Sequence, residues 1–409
     1  MTSPLHAPMN EWSVVDDCLM VGGVPLPLLA ERVGRTPFYA YDRRLLDARV
    51  ASLRRQLPRE LRLHYAMKAN PMPALVCHMA RLVDGIDVAS GGELSVALDA
   101  GVDPGDISFA GPGKSETEIT QAVAAGILLN VESAREVEVA ARRSRDLGVP
   151  ARIAVRVNPD FELKSSGMKM GGGPKQFGVD AEAVPSLLQD IDRQGLRFEG
   201  FHIYSGSQNL NADSIADAQQ KTLELAIQLA ATAPQPVREL NIGGGFGIPY
   251  FPGERPLDLA KVGDNLRVVV DRAKHALPHA RLTIELGRYL VGEAGIYVCR
   301  VIDRKISRGQ IYLVTDGGLH HHLAASGNFG QVIRKNYPVC VANHVADGPR
   351  AIVSVVGPLC TPLDLLADRM PMADAQPGDL VVVFQSGAYG ATASPQSFLS
   401  HPRCTESLV

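Results

Sequence analysis

The sequence predicts an α/β fold class, in which a (β/α)8 barrel is joined to an all-β domain. Strand-like segments alternate with helix-like segments over roughly 250 residues, which is the usual length of such a barrel. After residue 290 the helical periodicity ends and β-rich runs follow. At 409 residues with 45% hydrophobic content, the chain is also long enough to form two hydrophobic cores.

Eight strand-like segments make up the predicted barrel, and helical patterns lie between most of them. The strands lie near residues 62–67, 86–89, 107–110, 127–131, 152–157, 198–204, 238–242 and 282–285. Helices are expected over residues 42–57, where Asp42 caps the first turn, and over 73–82, 93–100, 116–125 and 133–147. The Gly- and Lys-rich segment 162–176 is too irregular for a helix or strand, so we expect a mobile loop on the active face of the barrel.

The second domain is predicted from β-rich runs that follow the barrel. These runs occur at 296–302, 311–314, 351–356 and 380–384, and short strands are also expected before residue 37. We therefore expect a barrel domain over 38–288, and a β domain in which 289–409 is completed by 1–37.

Composition argues against several classes of function. The formal net charge of −3 gives no reason to expect nucleic acid or an anionic membrane as a partner. The six cysteines are scattered without a CxxC pair, which argues for a reducing compartment and against a disulfide framework or a structural zinc site. Because neither a signal peptide nor an apolar run of membrane-spanning length is apparent, we expect a cytoplasmic protein.

The triplet His320, His321 and His322 invites a metal-binding interpretation. Adjacent residues on a strand point to opposite faces, so three side chains there cannot converge on one ion. We therefore expect no metal, and we expect these histidines to lie on the surface or to face a substrate.

The stretch from Leu63 to Asn70 carries the strongest chemical signal. It begins with the alternation of a strand and ends at Lys68, after which Asn70 and Pro71 stop the strand. A lysine at the carboxyl end of a buried strand is costly unless its charge is removed or used, and one use is a Schiff base with an aldehyde cofactor. The alternative is a lysine that reaches from the strand end into solvent.

Further polar groups follow other predicted barrel strands. Consecutive glycines at Gly243, Gly244 and Gly245 would let backbone N–H groups converge on a phosphate, with Ser207 as a further donor, although such a turn is often merely a turn. Glu285 is suited to keep a pyridine nitrogen protonated and Arg288 to pair with phosphate, but the two are equally suited to a strand-end ion pair. Asp87 either supports Lys68 or caps the next helix.

Two polar stretches lie beside the later β runs. Residues 357–364 contain Cys360, and residues 386–391 contain Tyr389. Each stretch alone is more typical of a turn than of a site, and Cys360 is equally compatible with an inert core thiol.

Together these motifs resemble the fold-type III pyridoxal phosphate decarboxylases, the family of diaminopimelate and ornithine decarboxylases. The resemblance covers nearly the whole chain. In order, it runs through Tyr65-Ala-Met-Lys68-Ala-Asn, Asp87-Val-Ala-Ser-Gly-Gly-Glu93, Arg156-Val-Asn-Pro-Asp, Gly206-Ser-Gln, Gly243-Gly-Gly-Phe-Gly, Glu285-Leu-Gly-Arg288, Gly357-Pro-Leu-Cys360 and Gly387-Ala-Tyr389. It implies pyridoxal 5'-phosphate as cofactor, an amino acid as substrate, and a homodimer with shared active sites.

The resemblance also implies roles for individual residues. It implies that Lys68 binds the cofactor, that Glu285 faces the pyridine nitrogen, and that Cys360 is supplied by the other subunit and acts near Cα. The remaining residues implied to bind the cofactor, several of them at its phosphate, are Asp87, Arg156, Tyr204, Ser207, Gly243, Gly244, Gly245, Arg288 and Tyr389.

Departures from the family pattern concern the substrate. Tyr204 stands where diaminopimelate decarboxylases carry a ring-stacking histidine, and His202 lies one strand repeat earlier. Thr361 replaces the acidic residue that binds a distal ammonium, and Ala324 replaces the arginine that binds a distal carboxylate. We therefore expect the part of the site that binds the reacting end of the substrate to be intact, and the part that binds the distal end to be altered. The candidate substrate contacts are His202, Thr361, Asp364, His321 and Arg334.

This pattern looks like the decarboxylases found with exosortase and exopolysaccharide gene sets, and like relatives that act on carrier-linked amino acids. We expect a pyridoxal phosphate-dependent L-amino-acid α-decarboxylase in which Cys360 manages the Cα proton. The first alternative is a diaminopimelate decarboxylase. An alanine racemase-like enzyme is disfavoured, because that relative places arginine opposite the pyridine nitrogen where this chain has Glu285. The alternative from another class is a catalytically inactive homologue that binds a partner.

Overall fold

The structure is a computed structural model that describes residues 7, 9–164, 167–329, 331, 334–346 and 349–409. The chain divides into two compact units. The β unit contains Met1–Ala48, Pro249–Arg255 and Leu290–Val409, and the barrel unit contains Arg49–Ile248 and Pro256–Tyr289. The predicted domains, a barrel over 38–288 and a β domain formed by 1–37 and 289–409, stay a prediction.

The N-terminal segment supplies strands and the first two helices. In chain order these are β1 (Val14–Val15), β2 (Cys18–Val21), β3 (Val24–Pro25), α1 (Leu26–Val33), β4 (Phe38–Tyr41) and α2 (Arg43–Gln56). Strands β1, β2 and β3 form a small antiparallel sheet. The Oδ1 atom of Asp42 accepts the N–H of Arg44 at 2.9 Å, so the predicted cap of α2 is confirmed.

The barrel unit contains the alternating strands and helices that the sequence predicts. Its strands are β5 (Arg62–Ala66), β6 (Gly85–Val88), β7 (Ile107–Phe109), β8 (Leu128–Val131), β9 (Arg152–Asn158), β10 (Met168–Lys169), β11 (Val179–Asp180), β12 (Arg197–Ile203), β13 (Gly206–Ser207), β14 (Glu239–Gly244) and β15 (Arg281–Leu286). Its helices are α3 (Pro73–Met79), α4 (Gly91–Asp99), α5 (Glu116–Ala125), α6 (Ala134–Leu147), α7 (Val184–Arg193), α8 (Ala212–Ala230) and α9 (Leu259–Ala276).

Eight parallel strands close into the barrel in the order β9, β12, β14, β15, β5, β6, β7, β8, with β8 paired back to β9. Each strand bound lies within two residues of its predicted place, and the predicted fold class is confirmed. Serines at the helix starts explain several of the boundaries. In α5, for example, Ser115 and Glu118 form a reciprocal capping box.

Within the segment 162–176, the described residues 167–170 contain regular structure that the composition does not indicate. The segment contains β10, which pairs antiparallel with β13, and the backbone N–H of Met170 donates to the carbonyl of Ser205 at 3.1 Å. The prediction that the segment contains no helix or strand is therefore wrong. A strand of two residues leaves no periodicity in the sequence, which is why pattern analysis misses it.

The β unit is a mixed sheet to which the N-terminal segment contributes. Its later elements are α10 (Arg288–Val291), which begins in the barrel unit, β16 (Gly295–Ser307), β17 (Gln310–Thr315), β18 (Val339–Val341), β19 (Arg350–Val356), β20 (Leu365–Ala373), β21 (Leu380–Val383) and β22 (Thr405–Leu408). Strand β16 pairs with β4, β17 and β21. The core includes Trp12, Leu19, Phe38, Ile296 and Val382, so N-terminal and C-terminal segments share one core.

The histidine triplet lies in a turn after β17 and is buried, so of the two expected placements the surface one is wrong. The exposed fractions of His320, His321 and His322 are 0%, 1% and 0%. Burial lowers the pKa of His320 and of His322 to about 3, which keeps both rings neutral at neutral pH. In the part of the chain that the structure describes, no group of His, Cys, Asp or Glu residues is arranged to hold a metal ion. No described helix is both long enough and apolar enough to span a bilayer.

Candidate active site

Lys68 follows β5 in a single 3-10 turn formed by Met67–Ala69. The turn is fixed by the hydroxyl of Tyr65, which donates to the carbonyl of Asn70 at 2.8 Å. The side chain of Lys68 is exposed although Met67 and Ala69 are buried. Of the two outcomes that the sequence left open, a buried amine and one that reaches solvent, the structure shows the exposed one. The Nζ atom lies 5.6 Å from the ring centroid of Tyr204, within cation–π range.

Glu285 lies near the end of β15 and is 6% exposed. Its Oε2 atom is 2.9 Å from Nε2 of His202 and 3.0 Å from Nδ2 of Asn241, and both nitrogens donate because a carboxylate only accepts. Burial opposes ionisation, but the interaction with His202 and the charges of Lys68 and Arg156 outweigh it and lower the pKa of Glu285 from 4.5 to about 2. The carboxylate is therefore a fixed negative charge at neutral pH.

His202 was expected to be a substrate contact, and its surroundings in the barrel point to another role. It is 2% exposed, it lies on β12, and its Nε2 is used by Glu285. His202 therefore acts on the carboxylate of Glu285, which lies two strands away in the barrel, beyond β14. Asn241 also holds this carboxylate, and the sequence alone gives it no role.

The turn at the end of β14 needs glycine residues because of its backbone angles and its close packing. Gly243 and Gly245 have φ angles of 71° and 72°, which side-chain-bearing residues rarely adopt. A Cβ atom on Gly244 would overlap the carbonyl of Glu285, and one on Gly245 would overlap the carbonyl of Gly206. The turn thus brings its backbone close to the segment that carries Ser207, which the sequence predicts to bind the same phosphate.

Asp87 and Arg156 also lie at the ends of barrel strands. The Oδ1 atom of Asp87 is 3.1 Å from Nδ1 of His64, while its buried Oδ2 has no hydrogen-bond partner among the described residues. Arg156 is 6% exposed, and its Nη1 lies 3.0 Å from a carboxylate oxygen of Glu132. His64 and Glu132 are functional candidates that sequence reasoning missed, because pairings 23 and 24 residues apart leave no local signal. Arg288 begins α10, directly after the Glu285 strand.

Cys360 and Thr361 lie on a turn of the β unit that is held by Asp364. Cys360 is exposed, so the alternative of an inert core thiol is wrong. The two oxygens of Asp364 accept the N–H groups of Leu319 at 2.6 Å and Leu359 at 2.8 Å. Asp364 was expected to contact substrate, but both of its oxygens are used to join the turn to a neighbouring loop.

Three further predicted residues lie in the β unit. The guanidinium of Arg334 donates to the carbonyls of Ser326 and Leu365, so its donors are largely used within the unit. The Nε2 atom of His321 lies 2.8 Å from the carbonyl of Pro402, which favours a structural role over a substrate contact. Tyr389 has a φ angle of 54°, a strained conformation that is found preferentially at functional sites.

The donor set at the barrel mouth fits pyridoxal phosphate. An exposed amine on Lys68 is accessible to an aldehyde, and the ionised Glu285 is suited to hold a protonated ring nitrogen. The glycine turn offers backbone donors for a phosphate, and Oδ2 of Asp87 is a buried acceptor that a ligand would satisfy.

Comparisons with known proteins point to the same chemistry. The family model described as pyridoxal-dependent decarboxylase, pyridoxal binding domain, matches residues 43–292. The L-glutamyl-[BtrI acyl-carrier protein] decarboxylase of Niallia circulans is 38% identical, over 91% of this chain and 88% of its own length. The diaminopimelate decarboxylase of Aquifex aeolicus is 34% identical, over 96% of this chain and 91% of its own length. The structure of Helicobacter pylori diaminopimelate decarboxylase complexed with L-lysine matches with a TM-score of 0.82 at 27% identity and covers 94% of both chains.

Proposed function

Because the chain belongs to the pyridoxal-dependent decarboxylase family, we propose that it removes the α-carboxylate of an L-amino acid whose distal end is linked to a carrier protein. The enzyme class follows from the family itself. The choice of substrate is supported by the relative from Niallia circulans, whose name describes a carrier-linked glutamyl substrate. It is also supported by the loss of both residues that read a free, charged distal end, because Thr361 and Ala324 stand in their places.

The observation that carries the proposed chemistry is the ionised Glu285 held by His202 and Asn241. When bound, pyridoxal phosphate supplies an electron sink that accepts the electron pair left by the departing CO2. Glu285 would hold the ring nitrogen protonated, and Lys68 would bind the aldehyde. The glycine turn and Ser207 would bind the phosphate with neutral hydrogen-bond donors.

We assign the Cα proton to Cys360. Its thiol is exposed on a turn that Asp364 fixes in the β unit, as expected for a group that is offered to a second subunit. The proposed active enzyme is a cytoplasmic homodimer in which each site combines the barrel of one chain with Cys360 of the other. Assignment to the exosortase-associated subgroup stays a prediction from the residues at 204, 324 and 361.

A second candidate function is diaminopimelate decarboxylation, which the 34% identity to the enzyme of Aquifex aeolicus favours. The two candidates differ at the distal end of the substrate. Replacing a charged partner by a neutral one loses about 1–3 kcal/mol for each end group, so discrimination of roughly 10²–10⁴ against diaminopimelate is expected.

The experiment is a comparison of kcat/KM for CO2 release. It includes meso-diaminopimelate, ornithine, lysine, arginine, free glutamate, and glutamate linked as a thioester to a phosphopantetheinylated carrier protein. We expect the carrier-linked substrate to be turned over most efficiently. The Thr361→Glu variant is the matched probe, since it restores an acidic residue and should improve turnover of ornithine relative to wild type. Efficient turnover of meso-diaminopimelate by the wild-type enzyme would decide for the second candidate.

A further inference from the structure

Four buried charged side chains form a cluster at the carboxyl ends of three neighbouring barrel strands. The cluster lies beyond β7, β8 and β9, at the end of the barrel that carries Lys68 and Glu285. Its members are 2–8% exposed: Lys114, Glu132, Glu136 and Arg156. Two positive and two negative charges make the cluster neutral, which buried ionic groups require.

Glu132 makes more of the connections than any other member. Its Oε1 atom lies 3.0 Å from Nη1 of Arg156 and accepts the N–H of Gly111 at 2.6 Å. Its Oε2 atom accepts the N–H of Gly178 at 2.8 Å. One carboxylate therefore joins three separate parts of the active face.

Lys114 and Glu136 hold Glu132 in place by contacts to its carboxylate and its backbone. The Nζ atom of Lys114 lies 3.0 Å from Oε2 of Glu136 and 3.8 Å from Oε1 of Glu132, and it donates to the carbonyl of Gly111 at 2.6 Å. The backbone N–H of Glu132 donates to Oε2 of Glu136 at 2.8 Å. Because these contacts fix both the backbone and the carboxylate of Glu132, its orientation is set before any ligand arrives.

The first group that Glu132 fixes is the guanidinium of Arg156. This group also lies against the ring of Phe177, with 5.0 Å from its central carbon to the ring centroid. Burial disfavours ionisation of Glu285, and the charge of Arg156 is one of those that outweigh burial and lower its pKa. The position of Arg156 therefore matters for the carboxylate that is proposed to face the cofactor ring.

The second group that Glu132 fixes is the base of the segment 159–178. This segment leaves the barrel after β9, pairs with β13 beside Ser207, and returns at Gly178. Gly178 has a φ angle of 74°, and a Cβ atom there would lie 2.8 Å from the backbone nitrogen of Asn158. The return point therefore depends on glycine geometry and on the Glu132 carboxylate together.

We propose that Glu132 is a positioning residue that couples the orientation of Arg156 to the anchoring of residues 167–178 at Gly178, beside β13 and Ser207. The proposal rests on the proposed function only for the identity of the cofactor. Glu132 acts through Arg156 and Gly178, and it touches neither cofactor nor substrate. Without the Glu132 carboxylate, residues 167–178 should be held less firmly against β13, which loosens the phosphate side of the site. Arg156 should also shift, which changes the electrostatic potential at Glu285.

The test compares Glu132→Gln with the control Glu199→Gln. Glu199 is 2% exposed, and its Oε1 lies 3.2 Å from Nε of Arg152 and 2.7 Å from Nε of Arg197. Because Arg152 begins β9 and Arg156 lies near its end, the control removes a buried carboxylate–arginine contact at the opposite end of the same strand. Both variants should lose stability to denaturant, because Glu132→Gln leaves the buried Arg156 less well paired and Glu199→Gln does the same to the partly buried Arg152.

Two readouts separate a positioning role from a merely structural one. The first is amide hydrogen exchange of the chain without cofactor, where Glu132→Gln should accelerate exchange over 167–178 at least about tenfold and Glu199→Gln should not. The second is the dissociation constant for pyridoxal 5'-phosphate, measured by fluorescence, which should rise roughly 10- to 100-fold in Glu132→Gln alone. In a double-mutant cycle with Arg156→Lys, the two losses of affinity should not add.

The proposal is overturned if Glu132→Gln and Glu199→Gln lose the same stability while both keep wild-type exchange over 167–178 and wild-type cofactor affinity. Additive losses in the cycle would overturn the coupling to Arg156. A wild-type chain that fails to bind pyridoxal phosphate would refute the proposed function instead, and the exchange measurement would still decide whether Glu132 holds the segment.

Discussion

Replacing His202 by phenylalanine tests the electrostatic reasoning about Glu285 most directly. Phenylalanine keeps a ring of similar shape but removes the donor that lies 2.9 Å from Oε2. The depression of the Glu285 pKa from 4.5 to about 2 corresponds to about 3 kcal/mol favouring the charged form. Because Lys68 and Arg156 supply part of this, we expect His202→Phe to lower the free energy of unfolding by about 1–3 kcal/mol at neutral pH.

The pH dependence of this loss has a definite sign. A carboxyl whose pKa is lower in the folded than in the unfolded chain adds stability above its ordinary pKa of 4.5, and that stability is lost as the pH falls toward about 2. The difference between wild type and His202→Phe should therefore be largest at neutral pH and should shrink below pH 4.5. His202→Gln, which keeps a neutral donor, should lose about half as much.

The measurement is urea denaturation of both variants and wild type across this pH range. His275→Phe is the matched control, because His275 is exposed on α9 and its Nδ1 contacts only a backbone carbonyl of its own helix. Equal unfolding midpoints for wild type and His202→Phe at neutral pH would refute the argument that Glu285 is ionised and held by His202.

Three other predictions follow from the site. Lys68→Ala should fail to develop the yellow colour that wild type develops with pyridoxal phosphate, and a variant that still becomes yellow would remove Lys68 from the cofactor site. Lys68→Ala and Cys360→Ala should each be inactive, yet their mixed dimers should regain activity in one of two sites; no recovery despite confirmed subunit exchange would exclude a shared site. Asp364→Asn should lose about 1–3 kcal/mol of stability and speed the alkylation of Cys360, because an amide cannot accept both N–H groups; Asp368→Asn is the control, and equal alkylation rates would contradict the argument.

The sequence predicts the barrel well because strand-like runs recur at regular intervals and helical patterns lie between most of them. The same regularity predicts which residues lie at strand ends, as with Asp87, Arg156 and Glu285. It does not predict partners across strands. The contact between His202 and Glu285 joins residues 83 positions apart, and nothing in either local motif indicates it. Whether a polar residue faces a ligand or a neighbouring strand depends on such pairings.

In the β unit, too, the sequence predicts features that depend on local pattern and misses those that depend on long-range contacts. The polar stretch around Cys360 is recognisable, and its thiol is exposed. The role of Asp364 is not recognisable, because one of its two hydrogen bonds reaches a residue 45 positions earlier. The histidine triplet is misjudged for a related reason: a turn buried by packing has the same composition as a turn on the surface.

The crowding around the glycine turn has a consequence for recognising inactive members of this family. Side chains at 243, 244 and 245 are excluded by backbone geometry or by neighbouring carbonyl groups, whether or not a phosphate is bound. A descendant that had lost its cofactor would therefore retain these glycines for folding alone. Lys68 is exposed on its turn, so no comparable crowding restricts the side chain at this position. A lysine that persists at this position is thus a more discriminating mark of a working enzyme than the glycine-rich motif.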